Sequence, residues 1–569
     1  MHRRACWAIG ALSAFVLILT AESQIYDNNF YSLAETPGLL AGDHPYRDFF
    51  DWGVPLQAGM SVVMQTLVGY RLIGEFALQW TLMTAGVVMA FQIAVRLSGS
   101  SRMAMAAMLV AVVNLAATPT VHSSKLFIYP CAILLMWRYL DRPGVGRSAA
   151  MGVVAAVAFL LRHDHGVYVG TGVLLAFVLA RVADPDARLV RPIAAELAAA
   201  ALGAAVLVGP WAIVVQQSEG LANYVQARAF INDKWAAEPV FRALLDMHPL
   251  QALTPDAATD EVGFAALLPH RDPAQRWLQD VSLLTAALIL ATGFVQLLRT
   301  YRLGVVARLD ACRLLLAGAL VALVEDKLFR EAGYFVLVAP LTAAFGARLL
   351  AGPPGWPATP PRRWQRAVHI GARAVSIGIF VTVIIAVSGF IRESNVFEPV
   401  YLMEHLPRTL RRLAISPPID GLASADDAAR LDRGAWLALD YGDRSDQMVR
   451  YMHECAAPGD RVLVSGQTPY QISYYVQRPL AGGHLYWHDQ WRADPTRELQ
   501  SLTLLTAQSV PFAFSTHDPV LDDLRPYPRV RDYFQRNYIE LEGSNGHLLV
   551  DTRRRPVRSY GLLGFPCFR

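Results

Sequence analysis

A chain of 569 residues with 51 Lys and Arg against 47 Asp and Glu carries a formal net charge of only +4, which calls for no nucleic-acid partner. It is 54% hydrophobic and 17% charged, well under the roughly 25% charged content of soluble domains. Its apolar residues gather in runs of about 18 or more, which excludes an ordinary soluble fold and points to a multispanning membrane protein.

In chain order the runs predict spans at about Ala5–Ala21, Leu72–Val95, Met103–Val121, Leu126–Leu140, Ala149–Leu161, Val167–Val182 and Ile193–Val215. Further spans are expected at Val281–Leu298, Leu314–Val324, Tyr334–Leu350 and Val368–Phe390. That makes about eleven transmembrane helices, with Val54–Tyr70 read as a further span or an interfacial helix. One set of loops holds Arg96 and Arg102, then Arg138, Arg142 and Arg147, then Arg181, Arg188 and Arg191, then Arg299, Arg302 and Arg308, and last Arg362, Arg363, Arg366 and Arg373. The opposite short loops hold few cations: Arg47, Lys125, Arg162, Lys327 and Arg330. This asymmetry places the N-terminus in the cytoplasm of a plasma (inner) membrane protein, and the tail outside. His2-Arg3-Arg4 before an apolar run also suits a cleaved signal peptide; an uncleaved first helix keeps the charge register and is preferred.

Two parts follow: a membrane module, residues 1–390, and an external soluble domain, residues 391–569. No internal repeat stands out, which weakens a transporter built from duplicated halves. Within the tail, Arg461–Gly466 reads as a buried strand after a Pro458-Gly459 turn. Helices at about Ser445–Cys455 and Asp494–Ala507 and strands near Pro511–Ser515 and His547–Asp551 suggest a small α/β domain. Asp440–Asp446 and Gly482–Asp489 read as polar loops. The five cysteines show no metal-cluster spacing; Cys455 and Cys567 both fall in the tail and can pair on an oxidising side.

The chemistry begins at Tyr26-Asp27-Asn28-Asn29-Phe30-Tyr31, straight after the first apolar run. A carboxylate at the bilayer boundary can serve as a general base facing a lipid-borne substrate; alternatively it caps a short helix through Asn28–Leu33. Gly42-Asp43-His44-Pro45-Tyr46-Arg47-Asp48-Phe49 follows, then Pro55 before an apolar helix. Together these stretches resemble the first external loop of the GT-C glycosyltransferases, multispanning enzymes that use polyprenyl-phosphate-linked sugars and include protein mannosyltransferase-like and aminoarabinose transferase-like members. The family pattern is Asp-Glu-x-x-Tyr followed by a G-x-x-P-Y-x-D-F-like stretch. Asp27 and Tyr31 match its first part, while Asn28 stands where the family carries Glu, so no role of that second carboxylate is carried over. Pro458-Gly459-Asp460-Arg461-Val462-Leu463-Val464, with Tyr474-Tyr475 and Arg478-Pro479, looks like the external domain of bacterial members.

A second external turn, Arg162-His163-Asp164-His165-Gly166, places four ionisable groups at a membrane edge, where they must pair or serve a site. On the resemblance Asp164 orients an acceptor or, with a histidine, holds a divalent cation; on residue chemistry alone an Arg162–Asp164 ion pair with solvated histidines serves as well. Lys125 heads one span, and Glu325-Asp326-Lys327-Leu328-Phe329-Arg330 ends another. A fixed cation there stabilises a departing phosphate, and Arg offers it a planar fork; snorkelling to headgroups is the alternative for Lys125 and Arg330. Arg47 and Asp48 read as a structural latch.

The expected activity is therefore inverting transfer of a sugar from a polyprenyl-phosphate donor to a glycan, lipid or protein acceptor, with Asp27 as base. Asp164 is the second catalytic candidate. Tyr31, Lys125, Arg162, His163, Asp326 and Arg330 are the substrate-binding candidates. No metal ligand is assigned. A P-loop and a dinucleotide fingerprint are both missing from the sequence. A lipid or solute transporter, or a non-catalytic glycan-binding relative, are the alternatives.

Overall fold

The computed structural model describes residues 2–21, 30–45, 47–49, 53–115, 123–183, 193–225, 289–298, 305–328, 344, 406–407, 409–411, 413–414, 445–465, 469–483, 487, 495–515, 518–542, 544–560 and 564–569. The chain divides into two compact units, one of residues 1–24, 79–211 and 236–406, the other of residues 25–78, 212–235 and 407–569.

Apolar runs become helices because a chain in hydrocarbon must satisfy its backbone groups internally. The helices in order are α1 (His2–Leu19), α2 (Tyr31–Leu40), α3 (Pro55–Val68), α4 (Leu72–Ser98), α5 (Ser101–Asn114), α6 (Ser123–Asp141), α7 (Val145–Leu161), α8 (His163–Ala183) and α9 (Ile193–Ser218). Two more follow, α10 (Ile289–Leu298) and α11 (Val305–Leu328). Among the described residues α4, α8 and α9 are long and apolar enough to cross a membrane, which makes the chain a helical membrane protein by length and composition. The apolar helices α5, α7 and α10 are shorter. Helix α3, with 14 residues, reaches only about 21 Å at ~1.5 Å per residue, short of the roughly 30 Å hydrocarbon core. The expected spans Tyr334–Leu350 and Val368–Phe390, and the 390/391 boundary, lie outside the described residues, apart from Ala344.

In the first unit α6 is an interior helix, buried along most of its length and packed on α7, α8 and α11. A Cβ on Gly86 would fall on the Leu126 carbonyl, so glycine lets α4 close onto the first turn of α6. Glycines do the same where α7 meets α9: Gly152 faces Ala200, and Gly203 faces Ala149. At the far end of α6 the charges pair. Asp141 takes Arg313 and, at 3.9 Å, Arg96. Glu196, fully buried, accepts from Tyr139 at 2.6 Å and Arg181 at 2.9 Å.

The second unit contains a four-stranded sheet. Its strands are β1 (Val462–Ser465), β2 (Phe512–Ser515), β3 (Tyr538–Glu540) and β4 (Leu548–Asp551), in the order β1-β2-β4-β3. Only the β1–β2 pair is parallel, with Leu463 beside Ala513. β1, β2 and β4 are buried at every position, which is why they read as unbroken apolar runs instead of alternating ones. Helices α12 (Ser445–Cys455), α13 (Pro469–Val476), α14 (Pro495–Ala507), α15 (Val520–Asp523) and α16 (Pro528–Asn537) surround this sheet, and β5 (Arg558–Tyr560) with β6 (Phe565–Cys567) forms a hairpin. Part of the polar loop expected at Gly482–Asp489 belongs to the core. Trp487 is fully buried, edge-on to Tyr527 at 5.1 Å, because an indole offers more apolar area than its polar neighbours can keep in water.

The first-loop elements belong to this unit as well. Arg461 grips Asp43 with both terminal nitrogens, at 2.8 and 2.6 Å. Arg47 and Asp48 pair at 2.5 Å, and the Arg47 carbonyl accepts from Gln500 at 3.3 Å. Burial raises the Asp48 pKa, but the Arg47 fork and the His44 N–H outweigh it and leave that carboxyl below its ordinary value. Arg47 and Asp48 thus pair with each other within this loop.

Cys455 at the end of α12 and Cys567 in β6 form a disulfide across 112 residues. A loop of this length constrains the unfolded chain by about 4.7 kcal/mol in the chain-entropy picture. Replacing both cysteines by serine should therefore lower the urea midpoint of the 445–569 region by several kcal/mol equivalents, read by tryptophan fluorescence. An unchanged midpoint would show that the bridge adds nothing to the fold.

Candidate functional site

The site lies within the first unit, at the end of α6 where Lys125 sits. Helix α7 stops at Leu161, and Arg162 turns the chain with extended backbone (φ −168°). α8 starts one residue later. The Arg162 carbonyl accepts the His165 and Gly166 N–H groups, at 3.0 and 3.4 Å, so one carbonyl opens the new helix. A Cβ on Gly166 would strike the Phe159 backbone, and this glycine is what permits so abrupt a reversal. Asp164 falls in the first turn of α8, where the helix dipole favours a carboxylate. It accepts the His165 N–H at 2.9 Å and pairs with Arg162 at 3.2 Å.

The two histidines of the turn differ. The Nδ1–H of His163 donates to the Phe159 carbonyl at 2.8 Å. Its ring stacks on Phe159 at 4.2 Å, with Trp211 edge-on at 5.3 Å. Both contacts are those of a packing residue. His165 is 3% exposed, and its Nδ1 is hydrogen-bonded to the Tyr129 hydroxyl. Its Nε2 is buried and has no hydrogen-bond partner among the described residues.

Lys125 is 5% exposed, and the charges of Arg162 and Lys125 both reach His165. Lys125 stands in the first turn of α6, the end of a helix that disfavours a cation, and burying an ammonium is costly unless an anion meets it. Snorkelling does not describe a side chain this deeply enclosed. An imidazole, an ammonium and a guanidinium with one carboxylate make an arrangement suited to a phosphate group.

The structure therefore brings Lys125, Arg162 and Asp164 together with His165 of the same turn and adds Tyr129, which the sequence does not single out. Tyr129 follows Lys125 by four residues, one helical turn, and so shares its face; that spacing was the available signal. The histidines are packed, not solvated. A divalent cation shared by Asp164 and a histidine does not fit this geometry. The carboxylate is turned to Arg162 and the His165 N–H, Nδ1 of His165 is turned to Tyr129, and no metal-holding group of three acidic, Cys or His residues occurs among the described residues.

Tyr31 belongs to the second unit, where it is buried edge-on to Tyr470 at 5.3 Å. Phe30 packs on Tyr474 and Tyr475, at 5.5 and 5.8 Å, and Tyr70 stacks on Tyr474 at 5.1 Å. Burial holds the Tyr474 phenol well above its ordinary pKa, so it stays neutral. Helix α2 has Phe30 at its N-cap, with no side-chain capping bond. Asp27 and Arg330, and the side chain of Asp326, lie outside the described residues. No protein-family model matches the chain, and no curated protein matches it.

Proposed function

We propose that the protein is a GT-C-like glycosyltransferase that moves a sugar from a polyprenyl-phosphate donor to an acceptor on the extracytoplasmic side of the membrane. The observation that carries this reading is the buried Lys125 one helical turn before Tyr129, whose hydroxyl bonds His165, with Arg162 in the turn that opens the next helix. A lipid-linked phosphate is an anion that an ammonium, a guanidinium and an imidazole N–H can bind together. In the reaction the acceptor oxygen forms a bond to the anomeric carbon, and the bond from that carbon to the phosphate oxygen breaks. The acceptor proton goes to Asp27 and the electron pair leaves with the polyprenyl phosphate. A single displacement inverts the anomeric configuration, and Lys125 and Arg162 stabilise the charge that builds on the phosphate. About eleven spans and an external C-terminal domain complete the proposal. The Cys455–Cys567 disulfide supports the external placement, since such bonds persist in oxidising compartments.

The test is transfer of labelled sugar from a panel of polyprenyl-phosphate donors by the purified protein. Wild type transfers with at least one donor. Lys125→Met, checked for folding by gel filtration, should lose about 10²–10³ in turnover, as other enzymes do on losing one oxyanion donor. Equal turnover would remove Lys125 from the phosphate, and failure with every donor would count against the enzyme reading.

A further inference from the structure

The buried histidine beside these cations does not contribute as a cation itself. A histidine that accepts a hydrogen bond at Nδ1 must be neutral, because imidazolium has only donors. The Tyr129 hydroxyl has His165 Nδ1 as its hydrogen-bond partner in the helix interior. Each direction of this bond leaves one buried donor unused, and acidity decides between them: a phenol O–H is a stronger acid than a neutral imidazole N–H, and an imidazole nitrogen accepts better than a phenol oxygen. The network therefore assigns the phenol as donor, Nδ1 as acceptor and the ring proton to Nε2. That Nε2–H is itself buried and finds no acceptor among the described residues, although buried donors are nearly always paired. A polar atom buried in this way, within reach of the charges of Lys125 and Arg162, is a donor awaiting an anion.

We propose that His165 is a phosphate-binding residue: a neutral imidazole, locked by Tyr129 in the Nε2–H tautomer, that donates its free N–H to a lipid-linked phosphate lying between Lys125 and Arg162. This rests on the glycosyl-transfer reading for the identity of the anion. Lys125 and Arg162 supply charge, and His165 supplies direction. A ring fixed at both Cβ and Nδ1 points its one remaining N–H along one line, whereas an ammonium is a mobile point charge. Tyr129 acts through His165 and is a positioning residue.

The test uses the full-length protein in nanodiscs, labelled with ¹⁵N-histidine, with farnesyl phosphate as probe and farnesol as control. The His165 signal is assigned by its loss in His165→Gln. In the free protein it should report the Nε2–H tautomer, and farnesyl phosphate, but not farnesol, should move it. His165→Leu should weaken farnesyl phosphate binding about 10- to 100-fold, the worth of one hydrogen bond to a charged group. His165→Gln, whose amide N–H lies near the lost Nε2–H, should recover most of that loss. Tyr129→Phe should leave the ring free to populate the other tautomer. If farnesyl phosphate binds and the His165 signal stays still, or His165→Leu binds as tightly as wild type, the inference falls while the glycosyl-transfer reading stands. If wild type binds no farnesyl phosphate, both fall.

Discussion

On the proposed reading, Asp27→Asn should lower the turnover of sugar transfer by about 10²–10⁴, the range expected when a positioned general base is lost, and should leave the KM for the polyprenyl-phosphate donor within a few-fold of wild type. Asparagine keeps the size and the hydrogen-bonding shape of aspartate but cannot accept the acceptor's proton. The phosphate would still be held at Lys125 and Arg162, so the loss falls on kcat. Asp164→Asn is the informative comparison. That carboxylate already accepts from the His165 N–H and pairs with Arg162, which leaves it fitted to hold the turn in place and poorly fitted to take a substrate proton. Its substitution should cost less than tenfold in kcat and show mainly in donor affinity, by loosening Arg162; an uncharged amide retains most of a positioning role. If Asp164→Asn abolishes transfer while Asp27→Asn does not, the two carboxylates must exchange roles.

The difference between those two residues shows what a sequence can and cannot disclose here. Ionisable groups beside apolar runs are visible without a structure, because burying them in a membrane is costly, and Lys125, Arg162 and Asp164 are legible as charges in that way. Their partners were not visible. The Tyr129–His165 bond depends on how α6 lies against α8, and nothing in either segment alone specifies that crossing. For the same reason the Asp43–Arg461 fork, between residues 418 apart in sequence, could not be anticipated. A helix runs past its apolar run where the flanking charges are satisfied by pairing. The run Leu314–Val324 predicts a short span, but α11 begins at Val305, since Asp310 accepts from Gln296 at 2.9 Å and Arg313 pairs with Asp141. Polarity predicts an end only when the charges have nowhere to go.

In the second unit the elements are easier to read, for a physical reason. Strands such as Val462–Ser465 are buried on both faces and bounded by turn residues, so the apolar run and its punctuation coincide. Trp487 is the counterexample. Its neighbours His484, His488 and Asp489 are polar, and a composition-based reading weighs the segment as a whole, while packing selects one ring from it.

Arg478→Ala should strongly destabilise the second unit. Arg478 is 6% exposed, and its hydrogen bonds run to four backbone carbonyls: Ala457 at 3.0 Å, Gln477 at 2.9 Å, His453 at 3.2 Å and Ala456 at 2.8 Å. Three of these belong to the end of α12 and the turn after it, where the helix presents unpaired carbonyls and the negative end of its dipole. The guanidinium thus replaces the missing next turn of the helix, beside the disulfide at Cys455. Desolvation by burial pulls its pKa below the ordinary arginine value, with Arg569 adding repulsion and Asp460 opposing it, yet a guanidinium remains charged at any working pH. Truncation leaves at least two carbonyls dry at about 1–3 kcal/mol each, so a loss on the order of 3 kcal/mol or more is expected, a large share of the roughly 5–15 kcal/mol that holds a domain together. Lysine cannot restore it, because one ammonium has three donors and no planar fork with which to reach four carbonyls. Chemical denaturation followed by the near-ultraviolet dichroism of the buried tyrosines and Trp487 reads the effect. A midpoint for Arg478→Ala within 0.5 kcal/mol of wild type, or full recovery in Arg478→Lys, would show that charge alone, and not the four-carbonyl cap, is what this arginine provides.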